Sequence, residues 1–221
     1  MIGSDVRERE GDDNDQAGFS LIELVVAMGI FMIFIALFLA AVAGLARGTT
    51  RAQTEAEATS GVLIVFQNID RQVRYSDGIN HPGQSNGKTY IEFRTPAAST
   101  PNKVTACTQW RYSPSAATIE SRSWPDTAGS VATPWATKLS AVVPSAASGY
   151  PFAMIPAGTL GSTKQEFVLT VNAGNESTSG ATQISSSFFA RNSNTGSQGN
   201  AADATGASVN PVCQRSGGTR P

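Results

Sequence analysis

Few residues in this 221-residue chain could do chemistry, and the one in the most demanding setting is Glu23. It stands directly before Leu24–Ala46, 23 residues without a charged side chain. A carboxylate at the mouth of such a run is expensive to keep ionised, and acids retained there generally have a partner or a task. Ahead of it, Gly18-Phe19 joins a polar leader to the apolar body, and the leader itself holds six acids and two arginines. Ser20 and Glu23 also have the spacing of a capping box, in which both would satisfy backbone donors at a helix start.

The remaining candidates are thinner. Cys107 and Cys213 are the only cysteines. In an exported protein they would form one disulfide tying the C-terminal tail to a strand, and in a reducing setting they would remain two thiols. His81 is the sole histidine, in the polar loop Asn80-His81-Pro82-Gly83, where solvation is the ordinary state. One histidine and two cysteines cannot complete a structural zinc site. No phosphate-binding glycine loop, calcium loop or nucleophile elbow is present, so the sequence points to no enzyme, metal or cofactor. Trp110, Trp124 and Trp135 could form a platform with Tyr112 and Tyr150, although such residues more often fill a core or an interface. Arg111 and Arg122, beside Trp110 and Trp124, make only a thin nucleic-acid footprint.

Elements must position these groups. Leu24–Ala46 would be about 34 Å long as a helix, enough to cross a bilayer. No proline occurs before Pro82, so the helix is expected to run on from about Ser20 to Arg74 and to stop at Ser76-Asp77-Gly78. Its second half carries Val62, Phe66, Ile69 and Val73 at helical spacing, a stripe better suited to the chain's own core than to a subunit contact, with Asp70, Arg71 and Arg74 facing water. Beyond it come short β-prone runs: 89–94, 104–112, 118–124, 138–143, 152–155, 166–171 and 183–191. Several alternate polar and apolar residues, as antiparallel strands with one buried face do. A hairpin is expected from Trp110-Arg111-Tyr112 through Pro114 to Ile119–Trp124. The fold class is α+β, a long N-terminal helix packed on an antiparallel sheet. Five segments follow: a leader (1–18), an apolar helix half (19–46), an amphipathic half (47–78), a β domain (79–191) and a polar loop or tail (192–221).

Charged residues make up 15% of the chain, below the roughly 25% of ordinary soluble domains, and the distal half is rich in Ser, Thr, Ala, Gly and Asn. That surface suits an exported protein. Net charge is −1 overall but +3 beyond residue 18, too little by itself to imply a nucleic-acid partner.

Gly18-Phe19-Ser20-Leu21-Ile22-Glu23-Leu24-Val25-Val26-Ala27-Met28 resembles the processing and assembly signature of type IV pilins and type II secretion pseudopilins. The resemblance implies cleavage between Gly18 and Phe19 by a prepilin peptidase, methylation of the new Phe19 amine, and pairing of Glu23 with the amine of a neighbouring subunit. It further implies a single-pass protein of the cytoplasmic membrane with its amino terminus inside and its C-terminal domain exported. Other pilin subunits, an assembly platform and a separate ATPase would be its partners. The acidic leader departs from the family's usually basic one. Many pilins carry a disulfide near the C-terminus, as Cys107 and Cys213 would. The missing helix proline favours a minor subunit, and the aromatic-arginine hairpin resembles that of the J-type minor pseudopilin. A DNA-uptake pilin is the nearest alternative, and a signal-anchored surface protein with a ligand-binding domain is another. Ala41-Val42-Ala43 also imitates a secretory cleavage site, although the apolar run is long for one and its flank is acidic.

Overall fold

The computed structural model describes residues 20–159, 161–173 and 182–213. The chain divides into two compact units, Met1–Thr49 and Thr50–Pro221. Helix α1, Leu21–Arg74, contributes to both. Its first turn closes where the Glu23 and Leu24 amides donate to the Ser20 carbonyl at 3.0 and 3.2 Å. Glu23 lies in that turn and Arg71 and Arg74 in the last, charges that complement the helix dipole at both ends. The helix stops where the Ser76 amide and hydroxyl both turn back to the Val73 carbonyl. The next amide, that of Asp77, is already bonded to the Arg94 carbonyl.

In the second unit two antiparallel sheets form. The first comprises β1 (Gly78–Ile79), β2 (Gly83–Ser85), β3 (Lys88–Thr95), β4 (Ala106–Ser113), β5 (Thr118–Pro125) and β6 (Ala136–Leu139). Its order is β1-β3-β4-β5-β6, with β2 also on β3. The second comprises β7 (Val142–Val143), β8 (Phe152–Ile155), β9 (Glu166–Ala173) and β10 (Thr182–Phe189), in the order β10-β9-β7 with β8 also beside β9. The α+β class and the β4–β5 hairpin agree with the sequence reading. Two details do not. β1 and β2 are strands although their residues read as loop, because pairing with β3 supplies what their composition lacks. The expected strand 138–143 is two strands in different sheets, parted at Ala141, whose φ of 57° turns the chain. The tail, a polar loop in its described part, is tied to the fold as far as Cys213.

One core joins α1 to both sheets. Val62, Val65, Ile69 and Val73 are buried, with Phe66 packed beside them. The stripe is therefore core, as its spacing predicts, with Val65 added. Phe66 meets Phe188 edge-on at 5.8 Å, and Phe188 stacks on Phe167 at 6.0 Å. Trp110 is fully buried, and its indole N–H donates to the Gln72 side chain at 3.0 Å, which fixes the helix against β4. Of the residues expected to face water, Arg71 does, while Asp70 and Arg74 are half-buried and paired with each other.

Two buried tyrosines make this core sensitive to alkali. Burial, and then the neighbouring Tyr150, push the Tyr112 hydroxyl up to about 12, and burial also raises Tyr150. A group that holds its proton more tightly when folded stabilises the fold fully below its unfolded pKa and loses that contribution as pH rises through the folded value. Stability should therefore fall between about pH 10 and 12, by on the order of 2 kcal/mol from Tyr112. Thermal melts across this range check it, and Tyr112→Phe should flatten the loss.

The described part of the tail, 192–213, has no long strand, yet its backbone is tied across the fold. The buried Gln165 side chain accepts from the Ile79 amide at 2.8 Å and donates to the Gln198 carbonyl at 3.3 Å. Asn200 exchanges bonds with Ala157 in both directions, and the Val212 amide donates to Asn80. Gly199 sits at φ 77°, where an added Cβ would lie 2.2 Å from the Ile79 carbonyl oxygen. Backbone cannot yield as a side chain tip does. Gly199→Ala should therefore destabilise by about 2 kcal/mol or more, read as a lower denaturation midpoint.

Candidate functional site

Three places carry the groups that the sequence singles out. Gly18 and Phe19 lie outside the described residues. Glu23 is exposed, in the first turn of a 30-residue apolar stretch, Leu21–Thr50, that is long enough to cross a membrane. Nearly every side chain in that stretch is exposed, among them Leu24, Phe31, Phe34, Leu37 and Phe38. In water this would be an untenable surface. In lipid, or among similar helices, it is matched all round, which makes Glu23 the one polar exception before Arg47.

The second place is the disulfide. Cys107 and Cys213 are bonded to each other, 106 residues apart in sequence, with Cα atoms 6.0 Å apart. Cys107 faces Trp124 across the β4–β5 ladder, and the bond packs with Trp124 and Val212 in a small cluster separate from the main core. Nearby, Arg94 grips Asp77 with two 3.0 Å bonds and approaches Asp126 at 3.9 Å. The Asp77 bond is the main reason the Arg94 guanidinium holds its proton above the ordinary value. The two sulfurs and the Asp126 carboxylate lie within 4.8 Å of one another. With the sulfurs joined, no thiolate remains there to ligate a metal.

The third is the same outer face of the first sheet, where Arg111 does not lie beside Trp110 as its sequence neighbourhood suggests. The five aromatic residues do not converge. Trp110, Tyr112 and Tyr150 belong to the main core and Trp124 to the disulfide cluster. Trp135 instead gathers both arginines: the Arg111 guanidinium lies 4.0 Å from its ring centroid and that of Arg122 lies 4.5 Å away, with Tyr90 edge-on at 6.2 Å. Arg122 is also 5.6 Å from Trp124. Each arginine is committed elsewhere as well, Arg111 to Glu120 at 2.6 Å and Arg122 to Gln109 at 2.9 Å. Burial, and then the Arg111 charge, lower the Arg122 pKa. Arg111 misses Trp110 because adjacent residues in a strand point to opposite faces, and that alternation was available in the sequence. His81 is likewise a strut: its amide donates to the Ser208 hydroxyl at 2.8 Å, and its Nε2 lies 3.3 Å from the Asn200 carbonyl.

Residues 13–43 match the family model of the prokaryotic N-terminal methylation motif. No characterised protein and no solved structure matches the chain. The methylation motif covers the Gly18-Phe19 junction, Glu23 and most of the apolar stretch, so chemistry and geometry coincide there. The motif supports a type IV pilin-like or pseudopilin role, and a motif of this kind implies processing by prepilin peptidase and assembly with other pilin subunits in general. Among the described residues one helix, near the N-terminus, is apolar and long enough to cross a membrane, which with the motif fits a single-pass membrane-anchored protein. Pilins are structural subunits.

Proposed function

We propose that this protein is a minor pilin or pseudopilin, cut between Gly18 and Phe19, methylated on Phe19, and built into a fibre or its initiating complex through its apolar helix. The observation that carries the reading is the coincidence of the methylation motif with an exposed apolar half-helix bearing one carboxylate, Glu23, in its first turn. Residues from Phe19 onward would leave lipid for a bundle of like helices. Glu23 would pair with the Phe19 amine of a neighbour, offsetting the cost of a carboxylate in a medium of low dielectric. The amino terminus starts on the cytoplasmic side and the β unit is exported, where the Cys107–Cys213 bond persists. Driving energy comes from a separate ATPase acting through a membrane platform.

A minor rather than a major subunit is favoured by the absence of any proline before Pro82, and a J-type likeness by the β4–β5 hairpin, which carries Trp110 and Arg111 on one strand and Arg122 and Trp124 on the other. Amino-terminal sequencing of the protein from membranes is the direct test. N-methylated Phe19 is the expected first residue. Met1 would indicate a plain anchor, Gly44 a secreted protein, and either would refute the assignment. A role in DNA uptake would show instead as salt-dependent DNA binding.

A further inference from the structure

A cavity of about 740 Å³ opens in the globular unit between β2 with its following turn, the Pro114 turn after β4, and the loop from Pro144 to Tyr150. Its size is that of a small-molecule site. None of its lining residues is an acid, lysine, arginine or histidine, so neither an anion nor a cation would find a counter-charge there. Its polar groups are an amide and hydroxyls, from Gln84, Thr89, Ser145 and Ser148, while Met154 and three prolines supply apolar wall.

Tyr112 borders this cavity and adds the second observation. Only 3% of its surface is exposed, and its hydroxyl has no hydrogen-bond partner among the described residues. Its neighbour Tyr150, in edge-on ring contact at 5.6 Å, is different. The Tyr150 hydroxyl donates to the Val143 carbonyl at 2.5 Å and accepts from the Asn172 amide at 3.2 Å. A buried hydroxyl left without a partner is uncommon in native proteins and asks for an explanation. The Tyr112 group keeps its proton throughout the physiological range, so it is available as a donor.

We propose that this cavity binds a small neutral polyhydroxylated ligand, a sugar residue, with the Tyr112 hydroxyl as one of its hydrogen-bonding groups. Hydroxyls both donate and accept, which matches a lining of hydroxyls and one amide, and the C–H faces of a sugar ring match the proline and methionine wall. The site is independent of fibre assembly and of the reading of Glu23.

The test uses the full chain in micelles of a detergent without a sugar headgroup. Methyl glycosides of glucose, galactose and N-acetylglucosamine are followed by saturation-transfer NMR, with N-acetyl-Ser-Ala-Ser-amide as a neutral peptide comparison. At least one glycoside should receive saturation at about 10 mM or below. Tyr112→Phe should weaken its binding about three- to tenfold, the size of one net hydrogen bond, without lowering the melting temperature. Ser148→Trp, at the exposed rim, should block binding. The proposal is overturned by silence from all three glycosides, by binding that both variants leave unchanged, by a lowered melting temperature in Tyr112→Phe, or by preference for the peptide.

Discussion

Serine in place of Cys213 should lower the unfolding free energy of the globular unit by up to about 4–5 kcal/mol, the largest stability change expected of any single side chain described above. The size follows from the length of the closed loop, 106 residues, since a crosslink restricts the unfolded chain more as the loop it closes grows. The local setting reinforces it. Both cysteines are buried, with Trp124 and Val212 against them, so an unbonded pair would also loosen the tail where Val212 meets Asn80. For a unit of this size the loss corresponds to a melting temperature lower by roughly 10–15 °C. Reductant should reproduce the shift in the parent protein and leave the variant unmoved. A parent protein whose melt ignored reductant, once alkylation had shown both thiols free, would contradict the clamp.

Glu23→Leu should have the largest effect on function. Insertion should be unimpaired or improved, because removing a charge from the edge of a bilayer span is favourable by up to about 2–3 kcal/mol. Cleavage after Gly18 should proceed, since the junction is untouched. Assembly should fail, because the Phe19 amine of the neighbour would then enter the bundle without a counter-charge, and a buried unpaired charge costs several kcal/mol. Cell fractionation followed by recovery of sheared fibres or crosslinked complexes separates these steps. Fibres that take up the leucine variant as readily as the parent would eliminate charge pairing as the assembly device.

What could be read from the sequence depended on whether the controlling interaction is local. The α1 stripe was legible because Val62, Ile69 and Val73 repeat at helical spacing, and the β4–β5 hairpin because alternation and Pro114 mark both its strands and its turn. β1 and β2 were not, since two or three residues of Gly, Gln and Ser become strand only through β3. The parting of β6 from β7 at Ala141 was hidden because a residue other than glycine takes the left-handed conformation there. The contacts that hold the tail were the least legible. Its order rests on contacts such as His81 to Ser208 and Val212 to Asn80, more than 100 residues apart, and no periodicity announces those. At the candidate site, Glu23 was conspicuous as a lone acid beside an uncharged run. The clustering of both arginines on Trp135 required knowing that β6 brings that residue back beside β5.

The bond between Cys107 and Cys213 also sets how the globular unit answers tension. If one end of a pull is α1 and the other is the chain beyond residue 213, the path of force crosses from β4 directly to the tail and bypasses everything between. The bypassed 106 residues would otherwise lengthen by about 350 Å when drawn out. With the bond intact, β5 through β10 lie outside the load path, and only the part from α1 to β4 can be extended.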